Sequence, residues 1–266
     1  MELNDYEKKV ILDIEKWERK EPTVVTQVIN AVAEPLEKVI NFILPKKAIL
    51  AALTTFNDLA SFFTDAGDIL RDGNVSTIEE LRKKELYLSD KLASNVAVWA
   101  RGIALAEGGA AGMNGFLGMA VDIPTLVTLA LRTIQKIALC YGYKCDTEAE
   151  KLIVFQIMSS ASANSLQEKT MALATLKQIE VAILKNGWKK LAEQAANKQA
   201  IPAFITCIKA LAKQLGINLT KRKALQAIPV VGAGVGAAMN SSYIFDISEA
   251  AIRIYEKRWL SDNGKI

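Results

Sequence analysis

The chain has 266 residues, with 33 Lys+Arg against 29 Asp+Glu and a formal net charge of +4; a chain of this length buries roughly 70% or more of its unfolded surface and needs no outside staple. It contains no histidine, which excludes Ser-His-Asp and Cys-His nucleophile activation, histidine-ligated zinc and histidine general-base chemistry. Hydrophobic residues make up 51% but aromatic ones only 7%, so the apolar mass is mainly Ala, Leu, Ile and Val at a mean hydropathy of +0.17.

Cys140, Cys145 and Cys207 form no short CxxC pair, an arrangement that argues against a disulfide framework or a zinc knuckle and predicts a reducing cytoplasm. The opening "MELNDYEKKVILDIEKWERK" is charged throughout, which predicts neither a signal nor a transit peptide. The charge is uneven. Residues 186–266 carry 12 Lys+Arg against 5 Asp+Glu, and residues 1–185 carry 21 against 24. A basic C-terminal third suits an anionic partner, although solvated helix faces produce the same asymmetry.

In chain order, Leu3, Tyr6, Val10, Ile11, Ile14 and Trp17 share one helical face, and Asn4 with Glu7 has capping-box spacing. A second helix starts at Pro22 and is kinked or split by Pro35. A third begins after Pro45 and stops by Gly73. Ser76 with Glu79 predicts a capping box before one long helix, or two broken near Ser89 and Asp90. In "DIPTLVTLALRTIQKIALCYGY", Pro124 suits a first helical turn and Gly142 a C-terminal cap. Asp146 is the expected cap of a helix over 147–163. Further helices are predicted over 166–185, 187–197 and 202–215, and no alternating strand is found. The expectation is an all-α protein: a single compact domain, residues 1–266, of about ten helices.

Two glycine-rich apolar segments stand at the centre of this plan. "GGAAGMNGFLGMAVDIPTLVTLALR" has Asp122 as its only charge from Gly108 to Leu131, and "AIPVVGAGVGAAMNSSYIFDI" lies in a run uncharged from Ala224 to Phe245. Met113-Asn114 precedes Asp122-Ile123 much as Met239-Asn240 precedes Asp246-Ile247, and each segment leads to an arginine, Arg132 or Arg253. This reads as a degenerate pseudo-repeat. A phosphate-cradling loop needs a preceding strand, and its Walker form also needs a Gly-Lys-Ser/Thr ending; neither is present. A bilayer span needs ~20 largely apolar residues, but Asp122 and a cluster of polar residues interrupt the two segments. Gly232 and Gly236 are a GxxxG pair flanked by alanines, which allows helix backbones to approach closely. The expected arrangement is a buried hairpin, with conditional membrane contact beside "TKRKALQAIP" as the alternative.

The stretches "YEKKVILDIEKWERKEP", "LPKKAILAAL", "GGAAGMNGFLGMAVDIPTLVTLALRTIQKIALCYGY" and "IPVVGAGVGAAMNSSYIFDISEAAIRIYEKRWL" together resemble the EcsC family over nearly the whole chain. The glycine-Asp-Ile-Pro block followed by an aromatic-Gly turn carries most of the resemblance. That family is named for a gene beside a bacterial ABC-exporter operon and has no established catalytic activity. The resemblance implies one helical domain and supplies no catalytic residues.

The candidate structural or ligand site is Gly112, Asn114, Gly115, Asp122 and Arg132 in the first segment, with Gly232, Gly236, Asn240, Asp246 and Arg253 in the second. Acid and base pair across the pseudo-repeat in one reading; in the other, Asp122 and Asp246 are N-caps and the asparagines cap or turn their segments. Lys221, Arg222 and Lys223 are the candidate membrane contact. Cys140 and Cys145 are expected to be ordinary thiols. Trp259 is expected to pack in the last helix rather than lie at a membrane interface. No metal site, cofactor or nucleic-acid motif is expected. The functional expectation is a non-enzymatic cytoplasmic protein at or near the inner membrane face, holding an apolar ligand or aiding a membrane transporter. The alternatives are an enzyme on a lipid-like substrate, using Asp, Lys and Arg, and a soluble partner-binding module.

Overall fold

The computed structural model describes residues 2–21, 66–112, 115–175, 177, 213–215, 217–219 and 232–266, and of residues 109–122, 148, 149 and 232–236 the backbone alone. Among the described residues there is no strand. The helices are α1 (Asp5–Arg19), α2 (Gly67–Gly73), a 3-10 turn (Ile78–Lys83), α3 (Leu86–Gly112), α4 (Gly115–Cys140), α5 (Glu148–Ala161), α6 (residues 166–175) and α7 (Gly232–Asp262). The helices expected between Pro22 and residue 65, and those over 178–212, lie outside the described residues.

α1 starts where its sequence says it should. Asn4 Oδ1 accepts the Glu7 amide at 2.8 Å, and Glu7 Oε2 accepts the Asn4 amide at 2.9 Å, so two orphan donors of the first turn are satisfied. Its inner face buries Val10, Ile14 and Trp17.

The next boundaries differ from expectation. The capping box is Thr77 with Glu80, one residue later than Ser76 with Glu79, and it opens the 3-10 turn rather than a long helix. Lys84 then turns extended (φ −83°, ψ 168°), and α3 runs unbroken from Leu86 through Ser89 and Asp90. An aspartate breaks a helix when its side chain competes for the backbone; the Asp90 carboxylate is held instead by two tyrosine hydroxyls.

α4 likewise begins earlier than expected, so Pro124 lies inside it and not in its first turn. The missing N–H removes one rung of the helical ladder. Ile123, Leu126 and Val127 on either side of it are buried, and tertiary packing of that face sustains the helix. α4 ends as predicted. Gly142 takes φ +86° and the Tyr143 amide donates to the Ala138 carbonyl at 3.0 Å, a glycine C-terminal cap. A Cβ at Gly142 would lie 2.5 Å from Arg82 Cγ and 2.8 Å from the Arg82 amide nitrogen. α5 is capped by Thr147, whose hydroxyl accepts the Glu150 amide, and not by Asp146.

The helices share one core cluster that runs from Val10 to Leu260. α7 packs chiefly on α3, and also on α4, α5 and α1, and α3 packs on α4. Ile123–Cys140 is long and apolar enough to cross a membrane, with a mean hydropathy of 1.3, but 61% of it is buried inside the protein, as the central helix of a packed core would be.

Candidate functional site

Of the residues singled out in the glycine segments, the surroundings of Arg132, Asn240, Asp246 and Arg253 are described. Asn114, and the Lys221, Arg222 and Lys223 cluster, lie outside the described residues, as does Cys207. Gly112 ends α3 and Gly115 begins α4; Gly232 and Gly236 lie in the first turns of α7. Three expected caps are overturned: Asp122 lies in the interior of α4, and Asn240 and Asp246 lie in the interior of α7, so none stands at a helix start. Asn240 is buried, Asp246 half-buried and Arg132 exposed. Arg253 makes its ion pair on its own helix, donating from Nη1 to both Glu256 oxygens at 2.9 and 2.7 Å. One turn of separation makes that partner far cheaper to reach than one across the pseudo-repeat.

Two other arrangements hold most of the unusual chemistry. The first is a sealed polar corner where α1, the start of α3, the end of α4 and the end of α7 meet. Tyr6 donates to Asp90 Oδ2 at 2.6 Å, and Tyr141, fully buried, donates to Asp90 Oδ1 at 2.5 Å. Burial pushes the Asp90 carboxyl above the usual range against the pull of both hydroxyls and of Arg253. Glu256 is 2% exposed; burial, then the negative charge of Asp90, raises its carboxyl to about 8 despite Arg253. Burial and Asp90 also push Tyr6 and Tyr141 upward, so both phenols stay protonated donors.

The corner continues toward the C-terminus. Arg258 holds Glu150 through two bonds of 2.8 and 2.6 Å, with both side chains largely buried. The Arg258 guanidinium lies 4.0 Å from the Tyr143 ring centroid, and Arg82 lies 4.6 Å from the same centroid. Tyr143 and Tyr141 both stack near Tyr255, at 5.6 and 6.1 Å. Lys265 pairs with Glu7 at 3.0 Å and Lys257 with Glu18 at 2.7 Å, so both ends of α1 are tied to the last helix and its tail. At the C-terminal end of α1, Lys169 donates to the Trp17 carbonyl, and to Lys20 at 3.3 Å, while standing 4.2 Å over the Trp17 ring. Burial lowers its ammonium to about 8.

Charged residues inside an apolar period are the signal that sequence reading passed over. Asp90 falls among Leu86, Ala93, Val96 and Ala100, all buried on one face of α3, and Glu256 falls among Ile252, Trp259 and Leu260 on α7. Trp259 packs inside as expected, at 5% exposure. Cys140 and Cys145 are free and buried, and burial pushes both thiols well above the ordinary range, which makes them inert at neutral pH.

The second arrangement is on the surface. The outward face of α3 exposes Val98 (71%), Trp99 (62%) and Leu105 (46%), together with Gly102 and Ala106. Its exposed charges are Lys91 and Arg101, with no carboxylate among the exposed residues of the helix. Beside Trp99 lies an open cleft of about 290 Å³ lined by Asp68, Asp72, Asn95, Lys136 and an apolar floor of Ile69, Leu92 and Val96. Its charges are already matched: Lys136 pairs with Asp68 at 2.8 Å, and Asp72 pairs with Arg71 at 2.9 Å. Among the described residues no group of three or more Cys, Asp and Glu is placed to hold a metal ion.

Comparison with known proteins bears on the whole arrangement. A protein of Bacillus subtilis (strain 168), the uncharacterized protein YdbA, is 26% identical over 191 residues, 71% of this chain and 64% of that protein. The chain thus spans less than two thirds of the length of that relative. No solved structure matches. Residues 8–260 match the EcsC protein family, and with helix after helix falling inside that range, the chain belongs to the EcsC family.

Proposed function

We propose that the chain is a non-enzymatic, cytoplasmic protein that works at the inner membrane face by laying the outer face of α3 on an anionic bilayer surface. The observation that carries this reading is the exposed run of Val98, Trp99 and Leu105 flanked by Lys91 and Arg101, with no carboxylate among the exposed residues of α3 and with Asp68 and Asp72 of the neighbouring cleft paired to Lys136 and Arg71. An apolar stripe with a cationic margin matches the boundary between acyl chains and anionic headgroups, and an exposed tryptophan suits the interfacial layer. Each cation near such a surface contributes ~1 kcal/mol, which favours reversible recruitment. The basic run at Lys221, Arg222 and Lys223 adds charge of the same sign. Asp90 and Glu256, the carboxylates that burial shifts upward, are buried and do not line the cleft, which supports a binding role over a catalytic one.

Vesicle flotation tests the reading. The protein is expected to float with vesicles containing phosphatidylglycerol and to leave them at about 1 M salt, where the screening length is ~3 Å. Lys91→Glu with Arg101→Glu should abolish flotation, and Trp99→Ser should weaken it at unchanged melting temperature. Wild-type protein that ignores anionic vesicles at low salt would overturn the proposal and leave a soluble partner-binding module. Flotation only with vesicles that carry membrane proteins would replace the lipid surface with a transporter.

A further inference from the structure

We propose that Tyr6, Asp90 and Tyr141 form a proton-coupled redox centre that yields one electron, by way of Tyr87, to a diffusible one-electron oxidant and keeps the hole as a neutral phenoxyl radical on Tyr141. Five of the chain's six tyrosines stand in one connected run. Tyr87 is 57% exposed and meets the Tyr6 ring edge-on at 5.4 Å. Tyr6 and Tyr141 donate to the two oxygens of the same Asp90 carboxylate at 2.6 and 2.5 Å. Tyr141 stacks on Tyr255 at 6.1 Å, and Tyr255 on Tyr143 at 5.6 Å. All three ring separations lie within the contact range of aromatic pairs, about 4.5–7 Å.

A phenol gives up an electron readily only when its proton leaves in the same step, because the phenol radical cation is strongly acidic. Tyr141 is fully buried, out of reach of bulk solvent, and the base within reach is Asp90. The oxidant takes an electron from Tyr87 and is reduced, while the Tyr87 proton passes to water. Tyr6 then refills Tyr87, which regains a proton from water, and the Tyr6 proton moves to Asp90 Oδ2. Next Tyr141 refills Tyr6, which recovers its proton from Oδ2, while the Tyr141 proton moves to Oδ1. The net change is one electron lost and one proton shifted from Tyr141 to Asp90. A carboxylate with one oxygen facing each phenol is what this exchange requires. Arg253 keeps both of its bonds to Glu256, so neutralising Asp90 strands no cation. The hole stops at Tyr141 because Tyr255 faces Cys145 Sγ at 3.9 Å, a weak acceptor. Tyr143 has Asp262 as acceptor at 2.8 Å, but the Arg258 and Arg82 guanidiniums stand 4.0 and 4.6 Å from its ring centroid, and two cations oppose removal of an electron there.

Flash oxidation of the full chain by photogenerated tris(bipyridine)ruthenium(III), followed by electron paramagnetic resonance, reads this directly. Ring-deuterated tyrosine separates tyrosyl from tryptophanyl signals. A long-lived tyrosyl signal is expected in the wild type and should be lost in Tyr141→Phe. Asp90→Asn keeps the shape of the side chain and removes the base, so the signal should be lost there as well. Tyr87→Phe should slow the growth of the signal at unchanged melting temperature and leave its spectrum as it was. Growth in the wild type should also slow in deuterium oxide, because a proton moves with the electron; this arm carries the test if Asp90→Asn does not fold. A wild-type signal no longer-lived than that of Tyr141→Phe, a folded Asp90→Asn that keeps it, or a growth rate indifferent to deuterium would overturn the proposal. Vesicle binding plays no part in these readouts, so the redox centre and the membrane reading stand or fall separately.

Discussion

The inner and outer faces of α3 treat polarity in opposite ways. On the inner face, Asp90 is buried and each of its oxygens receives a hydroxyl. On the outer face, Val98 and Trp99 stand in solvent at 71% and 62% exposure. Burying a charge costs stability unless its partners are in place, and leaving a large apolar side chain in water forgoes the stabilisation of burial. The first departure is supported by neighbours from α1, the turn after α4 and α7, and therefore belongs to the fold. The second leaves apolar surface in water, with the Lys136 ammonium 5.8 Å from the Trp99 ring centroid at its edge, and looks outward.

The largest expected effect comes from breaking the corner. Arg258→Met leaves Glu150 buried and unpaired and removes the cation over Tyr143, so unfolding in denaturant should show a loss of about 3 to 5 kcal/mol. Adding Glu150→Leu should restore much of it, because two apolar side chains then fill the volume without a stranded charge. If the single variant is as stable as wild type, the polar corner is not what holds α7 to α5.

A smaller effect is expected from pH. Glu256 has a folded value of about 8 against an ordinary 4.5; the folded protein keeps a proton the unfolded chain gives up, so this group lowers stability as pH climbs from about 4.5 to 8. Lys169 has a folded value of about 8 against 10.5; here the unfolded chain keeps the proton longer, so stability recovers as pH climbs from about 8 to 10.5. Together the two groups place a trough near pH 8, a few degrees deep in melting temperature. Glu256→Gln should remove the falling arm and Lys169→Met the rising one. A melting temperature that rises steadily from pH 5 to 8 would show that neither burial controls the response.

The smallest effect on stability should come from the outer face. Leu105→Ser and Val98→Thr should each move stability by less than about 0.5 kcal/mol, as ordinary surface changes do, while reducing flotation with anionic vesicles. A loss of 2 kcal/mol or more at Val98 would mean that this face is covered within the chain, and the contrast between the two sides of α3 would disappear.

The sequence by itself determined the helical class, the start of α1 and the end of α4. Those features rest on contacts within a few residues: the Asn4 and Glu7 exchange, the 3.6-residue apolar period of Val10, Ile14 and Trp17, and the positive φ that Gly142 accepts without a Cβ. It also placed the chain near the EcsC family, which the match over residues 8–260 shows. The pairing in the corner was not legible, because Tyr6 and Asp90 are 84 residues apart and Lys265 and Glu7 are 258 apart. Pro124, Asp122 and Asp246 read locally as helix starts, yet α4 and α7 run through all three positions. Local signals decide where a helix is easy to begin; only the tertiary structure decided where these helices end up beginning, and which buried charges could be kept, since the groups that compensate them arrive from other parts of the chain.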